Sequence, residues 1–202
     1  LQDITEMRQE QEIEHERANI LRAVASGQAL QDTATMVIQS FESRYQRRHA
    51  ILVTHPDASL PMDLVAPSLP GDFARIARPF IEGLVNSASE QAARNAERVI
   101  VSDIRTDHRF PQANAVLASL QLQACCATPV IGPDGRVLGV FTVYYHTAQS
   151  PDAHELKAID AGVALLVIAS NAALAQQRLE ESRQRLRSLF TLVPDAVFVL
   201  DT

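Results

Sequence analysis

The spacing of apolar positions divides the chain into helical and extended stretches. Residues 4–24 contain neither proline nor glycine, are rich in Glu, Gln and Arg, and set Ile13, Ile20 and Val24 at seven- and four-residue steps. That spacing predicts one long helix with a narrow apolar seam, better suited to a partner helix than to a broad core. Gly27 ends it, and Leu30, Ala34, Val37, Ile38 and Phe41 restore helical spacing up to Tyr45. Residues 49–54 are short, apolar and β-branched and predict a strand, followed by a proline-bearing turn and a return strand over 62–66. Pro79 argues against a single helix over 72–84.

Further along, 89–95 predicts a short helix, 98–103 a strand, and 114–122 a helix carrying Val116, Leu117, Leu120 and Leu122. The apolar runs 124–131 and 136–145 flank Gly132-Pro133-Asp134-Gly135, a strong hairpin signal because glycine and aspartate tolerate positive φ in tight turns. Ser150-Pro151-Asp152 opens a last helix that runs to Leu189 without proline. Along it Leu165, Ile168, Ala172, Ala175, Leu179, Ser182, Leu186 and Leu189 alternate three- and four-residue steps, the pattern with which two copies pair in a parallel coiled coil. Packing of 161–175 on the chain's own sheet explains the first half equally well, but leaves Leu179, Leu186 and Leu189 on a charged surface. Residues 192–201 begin another strand with no partner in reach, and the expectation is a second domain cut short.

Charge narrows the partners. Lys and Arg number 18 against 24 Asp and Glu, for a net charge of -6, so no positive surplus is available for a phosphate backbone and nucleic acid is not expected as a partner. The apolar run 161–175 is broken by Ser170 and Asn171 and falls short of the roughly 20 residues of a membrane span. Residues 1–22 are charged throughout, unlike a signal peptide. Cys125 and Cys126 are adjacent and cannot staple a fold, which suits a reducing compartment and a cytoplasmic placement.

Candidate chemistry is sparse. There is no glycine-rich phosphate loop, no His or Cys pair at metal spacing and no Gly-x-Ser-x-Gly elbow, so no catalytic or metal site is assigned. Asp103 and Asp107, four apart across a turn, fit caps of the turn better than an acid/base pair. On a strand Cys125 and Cys126 point to opposite faces. They are either inert buried thiols, or one of them lines a pocket or carries a chromophore, although no neighbouring His or Lys in sequence lowers its pKa. His108 is either a solvent-facing turn residue or a ligand to haem iron or another metal. Tyr144 and Tyr145 also alternate, so only one of them is expected to face a pocket.

Val99-Ile100-Val101-Ser102-Asp103 followed by Thr106-Asp107-His108-Arg109-Phe110, then Leu122-Gln123-Ala124-Cys125-Cys126-Ala127-Thr128-Pro129-Val130 and the hairpin Asp134-Gly135-Arg136-Val137-Leu138-Gly139-Val140-Phe141, resembles the GAF family. The resemblance spans about residues 25–170. It implies an α+β domain with a six-stranded antiparallel central sheet flanked by helices, and a sensory pocket with candidate residues Asp103, His108, Phe110, Cys126, Thr128, Phe141 and Tyr144. It also implies a homodimer through terminal helices that carry Ile13, Ile20, Leu165, Ile168, Leu179, Leu186 and Leu189. The flanks are similar to neighbouring PAS domains. Residues 1–24 resemble a last PAS strand passing into a linker helix, 171–190 a signalling helix, and 191–202 the start of another PAS domain. Bacterial proteins of this order end in cyclic-di-GMP turnover or a histidine kinase. Where many relatives carry Ser-Cys-Gly-Thr-Ala, this chain has Asn86-Ser87-Ala88-Ser89-Glu90-Gln91-Ala92-Ala93, so a ligand mode that needs that cysteine and glycine does not transfer. Three functions remain open: a sensor relaying occupancy by a small molecule, a ligand-free dimerising spacer, and a thiol enzyme similar to the methionine sulfoxide reductases that share the fold. The cofactor is unknown.

Overall fold

A computed structural model describes residues 2–46, 48–54, 64–69, 73, 75, 76 and 86–191, with the backbone alone described for 2–10 and 189–191. The elements are α1 (Gln2–Ala25), α2 (Leu30–Arg44), β1 (Arg48–Thr54), β2 (Leu64–Val65), α3 (Ala88–Asn95), β3 (Val99–Val101), α4 (Pro111–Ser119), β4 (Ala124–Ile131), β5 (Val137–Tyr145) and α5 (Ala153–Thr191). Among the described residues the sheet has five strands rather than six, in the order β2-β1-β5-β4-β3, with every neighbouring pair antiparallel. The fold is α+β, with helices on both faces of the sheet.

Local chemistry explains the element ends. Gly27 adopts φ 76°, and its N–H and that of Gln28 donate to Val24 and Ala23 carbonyls, so a left-handed glycine closes α1 and turns the chain into α2. Ser87 caps α3 by accepting the Glu90 N–H at 3.1 Å, in a Ser-x-x-Glu arrangement that begins the helix one residue before expectation. The expected helix over 114–122 is displaced to Pro111–Ser119, because proline is tolerated in a first turn and Gln121, at φ 59°, ends the helical path. Asp152 accepts the Glu155 N–H at 2.8 Å and starts α5.

Two hydrophobic layers sandwich the sheet. On one face α1, α2 and α5 bring Ile20, Val37, Ile38, Phe41, Ile159 and Leu166 onto Leu52, Cys126, Phe141, Val143 and Tyr145. On the other, α3 and α4 bring Ala92, Phe110 and Leu117, with Phe73, onto Ile51, Val101, Cys125, Val140 and Tyr144. Alternation places Tyr144 and Tyr145 on opposite faces, so only one of them can face a given pocket, and because helices cover both faces both rings are buried.

The terminal helices divide similarly. Ile20 is only 2% exposed and belongs to the core, and Leu165 packs against that core, so neither lies on a free seam. Ile13, Ile168, Leu179 and Leu186 remain 38–53% exposed. Length and apolar composition alone would let α5 cross a membrane, yet Ile159, Leu166, Ala169 and Leu174 on it are buried in the domain. The expected PAS-like strand at the N-terminus is helical from Gln2 onward, where Gln, Glu, Met and Arg are good helix formers. The expected strand after α5 lies outside the described residues.

Candidate functional site

The seven expected pocket residues do not converge. Pairing of β4 with β5 places Cys126 opposite Val143 and Thr128 opposite Phe141, all on the face beneath α2 and α5. Tyr144 lies opposite Cys125, and with Phe110 belongs to the face beneath α3 and α4. Cys126, Thr128 and Phe141 thus lie on the opposite face from Phe110 and Tyr144, because residues of odd and even number on one strand leave the sheet in opposite directions, and the seven cannot line one pocket together. There Thr128 accepts from Arg98 Nε at 3.0 Å, and the same guanidinium pairs with Asp160 on α5, tying the sheet edge to that helix.

Asp103 and His108 lie in the turns between β3 and α4. Asp103 accepts the Arg105 backbone N–H at 2.9 Å and grips the same residue's guanidinium through both oxygens. Asp107 repeats this with Arg109, and in the hairpin Asp134 accepts the Arg136 backbone N–H on one oxygen and its Nε on the other. Three Asp-x-Arg units therefore fold into the same side-chain turn, a regularity legible in the sequence once the spacing of two is noticed. The arginine partners hold the three carboxyls below their ordinary range. These aspartates shape turns, and His108 is exposed.

The polar groups that do converge sit under α3. Ser89 Oγ and Thr142 Oγ1 are 3.0 Å apart, and the Tyr144 phenol is within the reach of Ser89. Phe73 packs edge-on to Tyr144 with ring centroids 6.3 Å apart, and Ile51 pairs across the sheet with Thr142. The face is apolar, with one knot of three hydroxyls where the α3 N-terminal turn meets the middle of β5. Burial pushes the Tyr144 phenol above its ordinary range, so it stays neutral and able to donate or accept. Ser89 and Thr142 were absent from the sequence-based candidates. Thr142 stands two residues from Tyr144 and so was reachable by alternation, whereas Ser89 became a partner only through the docking of α3. Residues 77–85, which precede α3, lie outside the described residues.

Thiol chemistry has no foothold. Burial pushes Cys125 up to about 12, and burial likewise raises Cys126, so neither supplies thiolate at neutral pH. In the folded chain both thiols are expected to resist a disulfide reagent for hours and to react at once in denaturant. Rapid labelling of one thiol under native conditions would contradict this and reopen the thiol-enzyme reading. Among the described residues no group of three or more His, Cys, Asp or Glu is gathered to hold a metal.

Comparison with known proteins agrees with this architecture. A family model described as GAF domain matches residues 24–169. The chain is similar, at 26% identity over 98% of its length, to a methyl sulfide methyltransferase-associated sensor of Methanosarcina acetivorans, of which it spans 20%. Among solved structures it resembles the GAF domain of an Acinetobacter phosphoenolpyruvate-protein phosphotransferase (TM-score 0.57, 15% identity, 81% of this chain and 96% of that one). It also resembles the free methionine-R-sulfoxide reductase of Neisseria meningitidis (TM-score 0.54, 12% identity, 78% and 87%). With a matching family model over most of its length and the helix-covered antiparallel sheet described above, the chain belongs to the GAF domain family.

Proposed function

We propose that this GAF domain is a sensory relay within a longer signalling protein, converting occupancy of the face beneath α3 into a change in how α5 pairs with a second copy. The observation that carries this reading is the division of α5. Its first half is core, buried at Ile159, Leu166 and Leu174, while its second half leaves Leu179 and Leu186 each 53% exposed on a charged helix. A helix that is rigidly part of the domain at one end and carries an unburied heptad seam at the other transmits a domain displacement to whatever follows it. Ala175 and Ser182 on the same seam weaken the pairing locally, which leaves its equilibrium open to bias.

The hydroxyl knot of Ser89, Thr142 and Tyr144 suits a small ligand with polar groups at one end and an apolar body, since the walls around it are apolar. The name of the Methanosarcina acetivorans relative, a sensor, supports the sensory part. A homodimer, flanking PAS domains, a cytoplasmic setting suited to two free thiols, and an output in cyclic-di-GMP turnover or histidine phosphorylation complete the proposal. This segment itself serves as a regulator rather than a catalyst.

Sedimentation of the chain and of a Leu179→Glu, Leu186→Glu variant tests the relay. The parent is expected to dimerise and the variant to be monomeric with its fold intact. Equal association of the two would remove the seam from the mechanism and favour a second reading, a domain that only spaces its neighbours. That second reading draws on Asn86–Ala93, where the cysteine and glycine common in the family are absent.

A further inference from the structure

At the end of the sheet where β1 begins and β5 ends, two histidines meet. His49 Nε2 and His146 Nε2 are 3.0 Å apart, with the rings nearly perpendicular. Their other nitrogens are each committed. His146 Nδ1 is 3.0 Å from the Gln121 carbonyl, which can only accept, so that nitrogen carries hydrogen. His49 Nδ1 is 2.8 Å from Ser68 Oγ, and Ser68 donates its single hydrogen to the Glu42 carboxylate at 2.5 Å, so His49 Nδ1 must also be the donor. Glu42 is itself fixed by the Ala50 N–H, 2.8 Å away. With both Nδ1 atoms protonated, two neutral imidazoles would present two lone pairs to one another at hydrogen-bond distance, so the contact calls for a positive charge that both nitrogens share, either one extra proton or a metal ion.

We propose that His49 and His146 form a binding site for a divalent transition-metal ion of the zinc or nickel class. The arrangement has the features of such a site. Imidazole is a preferred ligand of these ions, and each ring donates its remote N–H to an oxygen that fixes its tautomer, His49 through Ser68 to a carboxylate and His146 to a carbonyl. An ion held about 2.1 Å from each nitrogen needs the two roughly 2.9–3.4 Å apart, depending on its geometry. No third protein ligand is gathered there among the described residues, so water completes the shell. Solvent has access, because His146 borders a groove of about 500 Å³ lined also by Arg105, Gln121 and Gln123. Arg105 is occupied by Asp103, and Glu42 places negative charge behind His49.

The position gives the site a consequence. The first turn of α5 is anchored at this same end of the sheet, by Glu155 on Arg48 at 3.1 Å and by His154 Nδ1 on the Tyr45 hydroxyl at 2.8 Å. A metal bridging β1 to the exit of β5 stiffens the joint from which α5 departs.

Calorimetric titration of the untagged chain with zinc chloride at pH 7.5, with nickel and magnesium chlorides as comparisons, is the test. One equivalent of zinc or nickel is expected to bind and to raise the melting temperature, and magnesium is expected to do neither. His49→Asn and His146→Gln should each abolish uptake, and Ser68→Ala should weaken it by about tenfold through loss of the link to Glu42. Absence of zinc uptake by the parent chain overturns the proposal without any variant. So does uptake that survives His146→Gln, which would place the ion elsewhere. A nuclear magnetic resonance spectrum in which the pair holds one shared proton and does not respond to zinc overturns it as well, since the proton would then be the cation.

Discussion

Phe141→Ala is expected to cost about 4 kcal/mol, the middle of the range for emptying a fully buried aromatic site. The ring has no exposure, lies in the layer beneath α2 and α5, and meets Phe41 edge-on with centroids 5.9 Å apart. Phe41 in turn stacks on Tyr45 at 4.8 Å, and Tyr45 holds His154 at the start of α5. Loss of the ring therefore leaves a cavity below α2 and loosens the support of α5. Collapse of the site is limited because β5 is bound on both sides, by β1 and β4. In a domain of this size the melting temperature should fall by roughly 10 °C. A near-unchanged melting curve would mean that Phe141 lines an open space after all, as the family resemblance suggested.

Gly139→Ala should cost about 3 kcal/mol, at the severe end for overpacking. A Cβ built at Gly139 would stand 2.5 Å from the Val53 carbonyl oxygen, a backbone atom of β1, and 3.3 Å from Thr54 Cα. No side-chain rotation relieves that contact, so the β1 and β5 pairing must open where Thr54 faces Gly139. The loss would read out as a lowered urea midpoint with the slope of the transition kept. An unaltered midpoint would show that β1 shifts freely at its end, and that the register there is not held by the glycine.

Much of the fold was legible because it depends on local rules. The hairpin of β4 and β5 followed from Gly132 to Gly135, and its strands fell within one residue of the expected runs. The start of α5 followed from Pro151 and Asp152, and the break after α1 from Gly27. The candidate site was less legible. Alternation separates Cys125 from Cys126 and Tyr144 from Tyr145, but it does not say which set faces which layer of helices. The family resemblance gathered Phe110, Cys126, Phe141 and Tyr144 into one pocket, and two sheet faces divide them.

Ser89 shows why. Its place in the first turn of α3 follows from Ser87 and Glu90, a contact three residues apart in sequence. Its partner Thr142 is 53 residues away and is reached only when α3 docks on the sheet. His49 and His146 are separated by 97 residues, and neither carries a metal-ligand spacing that a sequence pattern could reveal.

By itself, then, the amino-acid sequence determined most of the elements and their order, the hairpin, the glycine and aspartate that end α1 and start α5, and the family resemblance, while α4 lay three residues from its expected place and the N-terminal segment was helical rather than extended. Turn residues, caps and periodicity act over a few neighbours, so their effect is written locally. Only the tertiary structure decided that Ile20 belongs to the core, that both tyrosines are buried, that the pocket candidates part onto two faces, and that two distant histidines meet at the root of α5. Those outcomes depend on which helix covers which face of the sheet, a choice made by long-range burial among alternatives that look alike along the chain.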